Sequence, residues 1–190
     1  MKKIKNENEI TVEIDLAPDI AEAQLQDKGF VLEAEMDYND IYMARSDCTC
    51  TDFLDILKNT IIIRNIINNQ ENVKQIVYKN KTYNSKKEIV KQYQKKCMIE
   101  SLEDAKDFFE EIGYKELIKI YDHIKVYRND KFSLALQFVN DKHVYIEIEQ
   151  DKSPFENLEE MKKAADELGF TYKTKNYFVK KAEIELMEKY

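Results

Sequence analysis

GYKELIKIYDHIKVYRNDKFSLALQFVNDKHVYIEIE, residues 113–149, decides the architecture. Apolar and polar residues alternate through it with the period of two that marks a half-buried strand. Ile118, Ile120, Ile124 and Val126 oppose Lys119, Tyr121, His123, Lys125 and Tyr127. Phe132, Leu134, Leu136 and Phe138 oppose Ser133, Ala135 and Gln137, and Val144, Ile146 and Ile148 oppose His143, Tyr145, Glu147 and Glu149. Asn129-Asp130 and Asn140-Asp141 separate these runs, and Asn and Asp are residues that tolerate hairpin-turn backbone. Three consecutive antiparallel strands are therefore expected.

The same alternation recurs towards both ends of the chain. Ile10, Val12, Ile14 and Leu16 form one face of a first strand, with Thr11, Glu13 and Asp15 on the other, and further strands fit 60–67, 73–79 and 88–99. Counting alternating runs predicts a mostly antiparallel sheet of about eight strands. Three amphipathic helices are interleaved with them. The first runs from Pro18 through Ile20 and Leu25 to Lys28, and the second starts at Ser101, with Asp104 three residues on as a capping-box variant. The second carries Leu102, Ala105, Phe108, Phe109 and Ile112 on one face; the third begins near Pro154 and carries Leu158, Met161, Ala165 and Leu168. Each ends at one of the chain's glycines, Gly29, Gly113 or Gly169, followed by an aromatic residue and an extended segment. The recurrence suggests internal pseudo-symmetry, although any helix that runs into a strand favours glycine at that place.

A chain of 190 residues, 43% apolar and 35% charged, suits a single globular domain spanning 1–190. No stretch approaches the roughly 18 consecutive apolar residues of a membrane helix, and the opening MKKIKNENEI has no apolar run of signal-peptide length, so a cytoplasmic location is expected. The three cysteines are an odd number without zinc-ligand spacing, which predicts free thiols. A net charge of −7 argues against a nucleic acid polymer as partner but leaves room for a phosphate ligand inside a locally basic cavity. Monomer and homodimer are both compatible with the pattern.

The polar faces carry acids and bases together: Glu13, Asp15, Arg64, Lys79, Lys119, Lys125, Glu147 and Glu149. In an open sheet such a face looks at water. If the sheet closes with its apolar face outward under the helices, the same residues line a tunnel. Carboxylates there would hold a hard divalent cation while Lys and Arg neutralise phosphate oxygens.

The landmarks TVEID (11–15), YNDIYM from Tyr38, IIIR ending at Arg64, Tyr78-Lys79, EEIGY, KVYRNDKFSLALQFV, YIEIE ending at Glu149 and KNYFV around Tyr177 follow in an order and spacing that resemble the CYTH family, most closely class IV adenylyl cyclases. The resemblance implies an α+β fold, a closed antiparallel β-tunnel of about eight strands with helices packed outside. It also implies acids that bind Mg²⁺ or Mn²⁺, basic residues that hold a triphosphate, and either cyclisation of ATP or hydrolysis. Position by position, Arg64 and Lys79 match the family's phosphate contacts. Its opening signature falls on Thr11, Glu13 and Asp15, of which Glu13 alone is kept. Gln137 stands where the family has a metal-linked aspartate, Glu147 with Glu149 beside it keeps the last acidic strand, and KQYQKK, 91–96, replaces the middle one.

In the ungapped register the family's next lysine and arginine fall at Asp122 and Ile124. The alternation favours a one-residue adjustment that brings His123 and Lys125 into the tunnel. The expected site thus comprises Glu13, Glu147 and Glu149 for metal, Arg64, Lys79, Lys119 and Lys125 for phosphate, and His123, Lys125 and Gln137 at the reaction centre. Two functions follow from the resemblance. One is a metal-dependent adenylyl cyclase (a phosphorus-oxygen lyase) or triphosphatase; the other is a non-catalytic receptor for a nucleotide, a polyphosphate or another anion. A purely structural domain is the third possibility, in which Arg64 and Lys79 would have no reason to face inward.

Overall fold

The structure, a computed structural model, describes residues 9–49, 52–58, 60–69, 71–83, 89–150 and 154–190. The opening residues 1–8, Cys50 and residue 88 of the expected strand 88–99 lie outside these. In chain order the elements are β1 (Glu9–Ile14), α1 (Pro18–Asp27), β2 (Val31–Arg45), α2 (Phe53–Lys58), β3 (Ile61–Asn68), β4 (Asn72–Tyr83) and β5 (Ile89–Met98). They continue with α3 (Leu102–Glu111), β6 (Tyr114–Arg128), β7 (Ser133–Val139), β8 (His143–Glu149), α4 (Leu158–Glu167) and α5 (Lys181–Lys189).

Local chemistry sets these boundaries. Asn140 and Asp141 have φ of 50° and 56°, left-handed backbone that Asn and Asp tolerate, in a three-residue β7–β8 connection closed by the Lys142 amide donating to the Val139 carbonyl at 3.0 Å. Asn129 Oδ1 accepts from the amides of Lys131 and Phe132 and turns the chain from β6 to β7. Gly29, Gly113 and Gly169 all take positive φ just past α1, α3 and α4, the left-handed exit that glycine makes without strain. Ser101 Oγ caps α3 by accepting from the amide of Asp104 at 3.1 Å. The third expected helix, α4, starts later than Pro154 because Asn157 is its cap, accepting from the Glu160 amide at 3.0 Å.

The eight strands form one antiparallel sheet in the order β1-β8-β7-β6-β2-β3-β4-β5. Its outer face is covered by helices. Ala21 and Leu25 of α1 and Met161 and Ala165 of α4 pack on Val12, Leu134, Leu136 and Ile146, all buried. Ala105 and Phe109 of α3 pack on Met43 and Ile63. A third cluster lies on the opposite face, where Leu186 of α5 meets Ile118, Ile120 and Tyr145, with Phe53, Ile56 and Leu57 of the α2 region packed against it.

Among the described residues no ladder joins β5 to β1, so the sheet is not closed strand to strand. The free edge of β1 is met instead by residues 171–179. The Thr11 amide donates to the Tyr177 carbonyl at 2.9 Å and the Val179 amide to the Thr11 carbonyl at 3.0 Å. Lys173 donates its amide to Glu13 in the same way. The segment expected as a third extended copy is thus a cover for an exposed edge, bonded through the isolated bridges Thr11–Phe178 and Ile14–Tyr172. No helix among the described residues is long and apolar enough to cross a membrane.

Candidate functional site

Because side chains alternate across a strand, one face of every strand is committed once the outer face is packed. The inner faces of all eight contribute to a single cavity of about 460 Å³, which requires the sheet to curl round it.

Two ion pairs organise the interior. Asp40 and Arg64 lie directly opposite each other on β2 and β3 and form a two-pronged bridge, Nε to Oδ1 at 2.7 Å and Nη2 to Oδ2 at 2.5 Å, with both residues buried. The guanidinium also lies over the Tyr38 ring at 4.3 Å, so an edge and a face are both fixed. Burial works against the Arg64 charge, Asp40 more than offsets it, and the net pKa is raised. The second pair joins α5 to the sheet: Lys181 Nζ donates to Asp122 Oδ2 at 2.7 Å and to Gln137 Oε1 at 2.6 Å. Burial again lowers the pKa of this ammonium, and Asp122 with Glu147 reverses the sign, so that Lys181 is held charged. Tyr42, beside both pairs, is kept protonated by burial and by Asp40.

On the β1 and β8 side, Glu9, Glu147 and Glu149 bring carboxylate oxygens within 4.8 Å of one another. Burial raises the Glu147 pKa; Lys181 opposes this, Glu9 and Glu149 add to it, and Lys79 of β4 opposes it. Lys79 and Lys96 also line the cavity. Hard oxygen donors so grouped suit Mg²⁺ or Mn²⁺ by charge and ligand type.

Of the residues expected from sequence, Arg64, Lys79, Gln137, Glu147 and Glu149 line this cavity. Glu13 does not. It lies on the same face of β1 as Thr11, but its carboxylate is engaged at 2.8 Å by both His143 Nδ1 and Lys173 Nζ. Glu9, two residues earlier, stands with Glu147 and Glu149, so the inward positions of β1 are Glu9, Thr11 and Glu13, and Asp15 lies beyond the strand, exposed.

The adjusted register of β6 is overturned. Asp122 and Ile124 face the cavity, while His123 and Lys125 point to the outer surface. There His123 sits between Asp37 (2.6 Å) and Glu35 (3.0 Å) and stacks on Phe138, and Lys125 pairs with Glu22 of α1 at 2.7 Å. Lys119 is exposed, 3.6 Å from Glu116. The physical reason is that the cavity is itself partly apolar, so the isoleucine face of β6 turns inward. Its polar face outside is satisfied by carboxylates of β2 and α1.

Sequence reasoning missed Glu9, Asp40 and Lys181, and it set Asp122 aside together with the ungapped register. Two-residue periodicity run back from Thr11 reaches Glu9, and Asp40 shares a face with Tyr38 and Tyr42. For Lys181 no strand pattern was available, because it comes from a helix.

A curved eight-stranded antiparallel sheet with α1, α3 and α4 packed on its outer face and a cavity of mixed charge inside is a CYTH-like fold. The particular likenesses are to solved structures. A protein from Pyrococcus horikoshii OT3 superposes with a TM-score of 0.70 at 20% identity, covering 96% of this chain and 99% of that one. A candidate adenylate cyclase from Vibrio parahaemolyticus gives 0.59 at 12% identity (97% and 98% covered). A Hippeastrum protein, a candidate adenylyl cyclase with a dominant triphosphatase activity, gives 0.59 at 14% (97% and 96%). What these share with the chain is the fold. No family model and no curated protein matches its sequence.

Proposed function

We propose that the protein binds a polyphosphate-bearing ligand, a nucleotide or related phosphate compound, in the cavity together with a divalent cation. The observation that carries this reading is the segregation of charge inside one cavity: Glu9, Glu147 and Glu149 on the β1 and β8 side, Arg64, Lys79 and Lys96 on β3, β4 and β5. Glu9, Glu147 and Glu149 would hold the Mg²⁺ or Mn²⁺, which when bound would supply charge neutralisation for in-line displacement at phosphorus. The chain's own part is to orient the phosphates, with Arg64 fixed by Asp40 and Tyr38 and with Lys79 facing the acids. On that basis ATP cyclisation or triphosphate hydrolysis is the reaction class that fits.

A second reading, a receptor without turnover, is favoured by specific residues. Gln137 provides no charge, Arg64 is already bridged to Asp40, and Lys181 is already bridged to Asp122. A thermal-shift screen with ATP, GTP, inorganic triphosphate and pyrophosphate, each with and without Mn²⁺, separates the readings. Stabilisation that depends on Mn²⁺, with product formed and lost in Glu147→Ala, is expected for the enzyme. Metal-independent stabilisation without product supports the receptor, and no shift with any phosphate refutes both.

A further inference from the structure

The two ends of α5 have different surroundings. Its first turn lines the cavity and puts Lys181 against Asp122 and Gln137, whereas its later turns bear on His143 of β8, outside the cavity. His143 shares the inward face of β8 with Tyr145 and Glu147 and is buried. Three carboxylates surround its ring. Nδ1 lies 2.8 Å from Glu13 Oε1 of β1, and Nε2 lies 2.9 Å from Glu188 Oε1 and 3.9 Å from Glu185 Oε1 of α5. Lys173 Nζ is 2.8 Å from Glu13 Oε1, and Lys142 Nζ is 3.1 Å from Glu188 Oε2. Asn140 donates to Glu185 Oε2 at 2.5 Å, while Glu185 Oε1 is buried with no hydrogen-bond partner and has the ring as its facing group. Tyr145, its ring 6.0 Å from that of His143, is kept protonated by burial and by Glu13.

A neutral imidazole carries a single N–H. With that hydrogen on Nδ1, the Nε2 lone pair faces the two carboxylates of α5; with it on Nε2, the Nδ1 lone pair faces Glu13. Only the imidazolium presents a hydrogen on both sides. The charges point the same way, since three carboxylates stand with two ammonium groups and the imidazolium brings the cluster to neutrality. We propose that His143 is a proton-operated latch on α5: protonated, it joins Glu13 of β1 to Glu185 and Glu188 of α5, and when it gives up the proton α5 loosens and Lys181 is withdrawn from the cavity. Docking of the helix is thus linked to binding of a proton, so it is favoured below about pH 6.5, the ordinary histidine range, and weakens as the pH rises. Lys142 and Lys173 keep their charge across that range, which leaves His143 as the group that changes. Only α5 is released, because the strands under it are held by their own ladders.

The test is hydrogen exchange of the full chain, without ligand, followed by mass spectrometry between about pH 5.5 and 8.5 and corrected for the pH dependence of intrinsic exchange. Protection of the α5 amides is expected to fall about tenfold or more across that range while the β7 amides keep theirs. His143→Gln should give α5 a protection that no longer follows pH. Glu188→Gln removes one facing carboxylate at a partly exposed position, leaves the core intact and should make the fall shallower. His123→Gln, at the chain's other histidine, should reproduce the native profile. A level α5 profile in the native chain, a fall shared equally by β7, or a fall that survives unchanged in His143→Gln or Glu188→Gln overturns the proposal. So does a fall that His123→Gln abolishes.

Discussion

Glu147 combines burial, which favours its neutral form, with two more carboxylates close by. Its pKa is raised from 4.5, burial being the largest cause. The folded state therefore holds a proton more tightly than the unfolded chain, and stability falls as pH rises from the unfolded value through the raised one. Glu147→Gln removes that loss. Without metal, the variant should melt higher than the native protein at neutral pH, by about 2–4 °C for each kcal/mol relieved, and the gap should close near pH 4. With Mn²⁺ present the order should reverse if the acidic trio holds the ion. Melting curves across pH with and without Mn²⁺ read both effects, and parallel pH profiles for the two proteins would contradict the first. Arg64 and Asp40 present the opposite case, a buried pair that is fully engaged. Asp40→Ala strands a guanidinium in the interior and should cost about 3–5 kcal/mol in urea unfolding, whereas Asp40→Ala combined with Arg64→Met should cost clearly less than the sum of the two single changes.

Elements show where the sequence was legible and where it was not. The β7–β8 hairpin could be read directly, since Asn140-Asp141 fixes the turn and the alternation of Phe132–Phe138 against Ser133, Ala135 and Gln137 assigns the faces. β6 alternates just as cleanly and was assigned the wrong way round. Alternation tells which residues share a face but not which side that face meets, and the cavity accepts isoleucines as readily as the helix layer does. A β-bulge compounds the ambiguity: the β2–β6 register shifts between Tyr42 and Met43, so that Tyr114 and Ile118, four residues apart in β6, belong to opposite faces. Arg64 and Lys79 were legible because the family resemblance matched them position by position, and β3 and β4 pair with each other without a register shift. Lys181 was not, because α5 reaches the cavity from outside the strand pattern. α5 also offers a test of its own role. Leu186 is fully buried against Ile118, Ile120 and Tyr145, and Leu186→Ala should cost about 2–5 kcal/mol in chemical denaturation. A loss well under 1 kcal/mol would mean that α5 is only loosely seated on the sheet.

Across the whole molecule the sheet order places neighbours far apart along the chain. β1 pairs with β8, Glu9 opposite Glu149 and Ile14 opposite Val144, and its other edge is taken by residues 171–179. β2 lies between β3 and β6. Long-range pairing of this kind is slow to assemble, because loop closure must precede the contacts that reward it. Refolding is accordingly expected in milliseconds to seconds, the range of sheet-rich domains, and stopped-flow fluorescence of the tyrosines would record it; a microsecond phase carrying the whole amplitude would exclude this assembly order. The clasp of residues 171–179 on β1 also has a consequence for the nascent chain. During synthesis β1 leaves the ribosome well ahead of its partners, since both strips of backbone that satisfy it are made more than a hundred residues later. Until then its amides and carbonyls, and the apolar row Ile10, Val12 and Ile14, stand open, which makes this strand a segment that a holding chaperone would be expected to recognise.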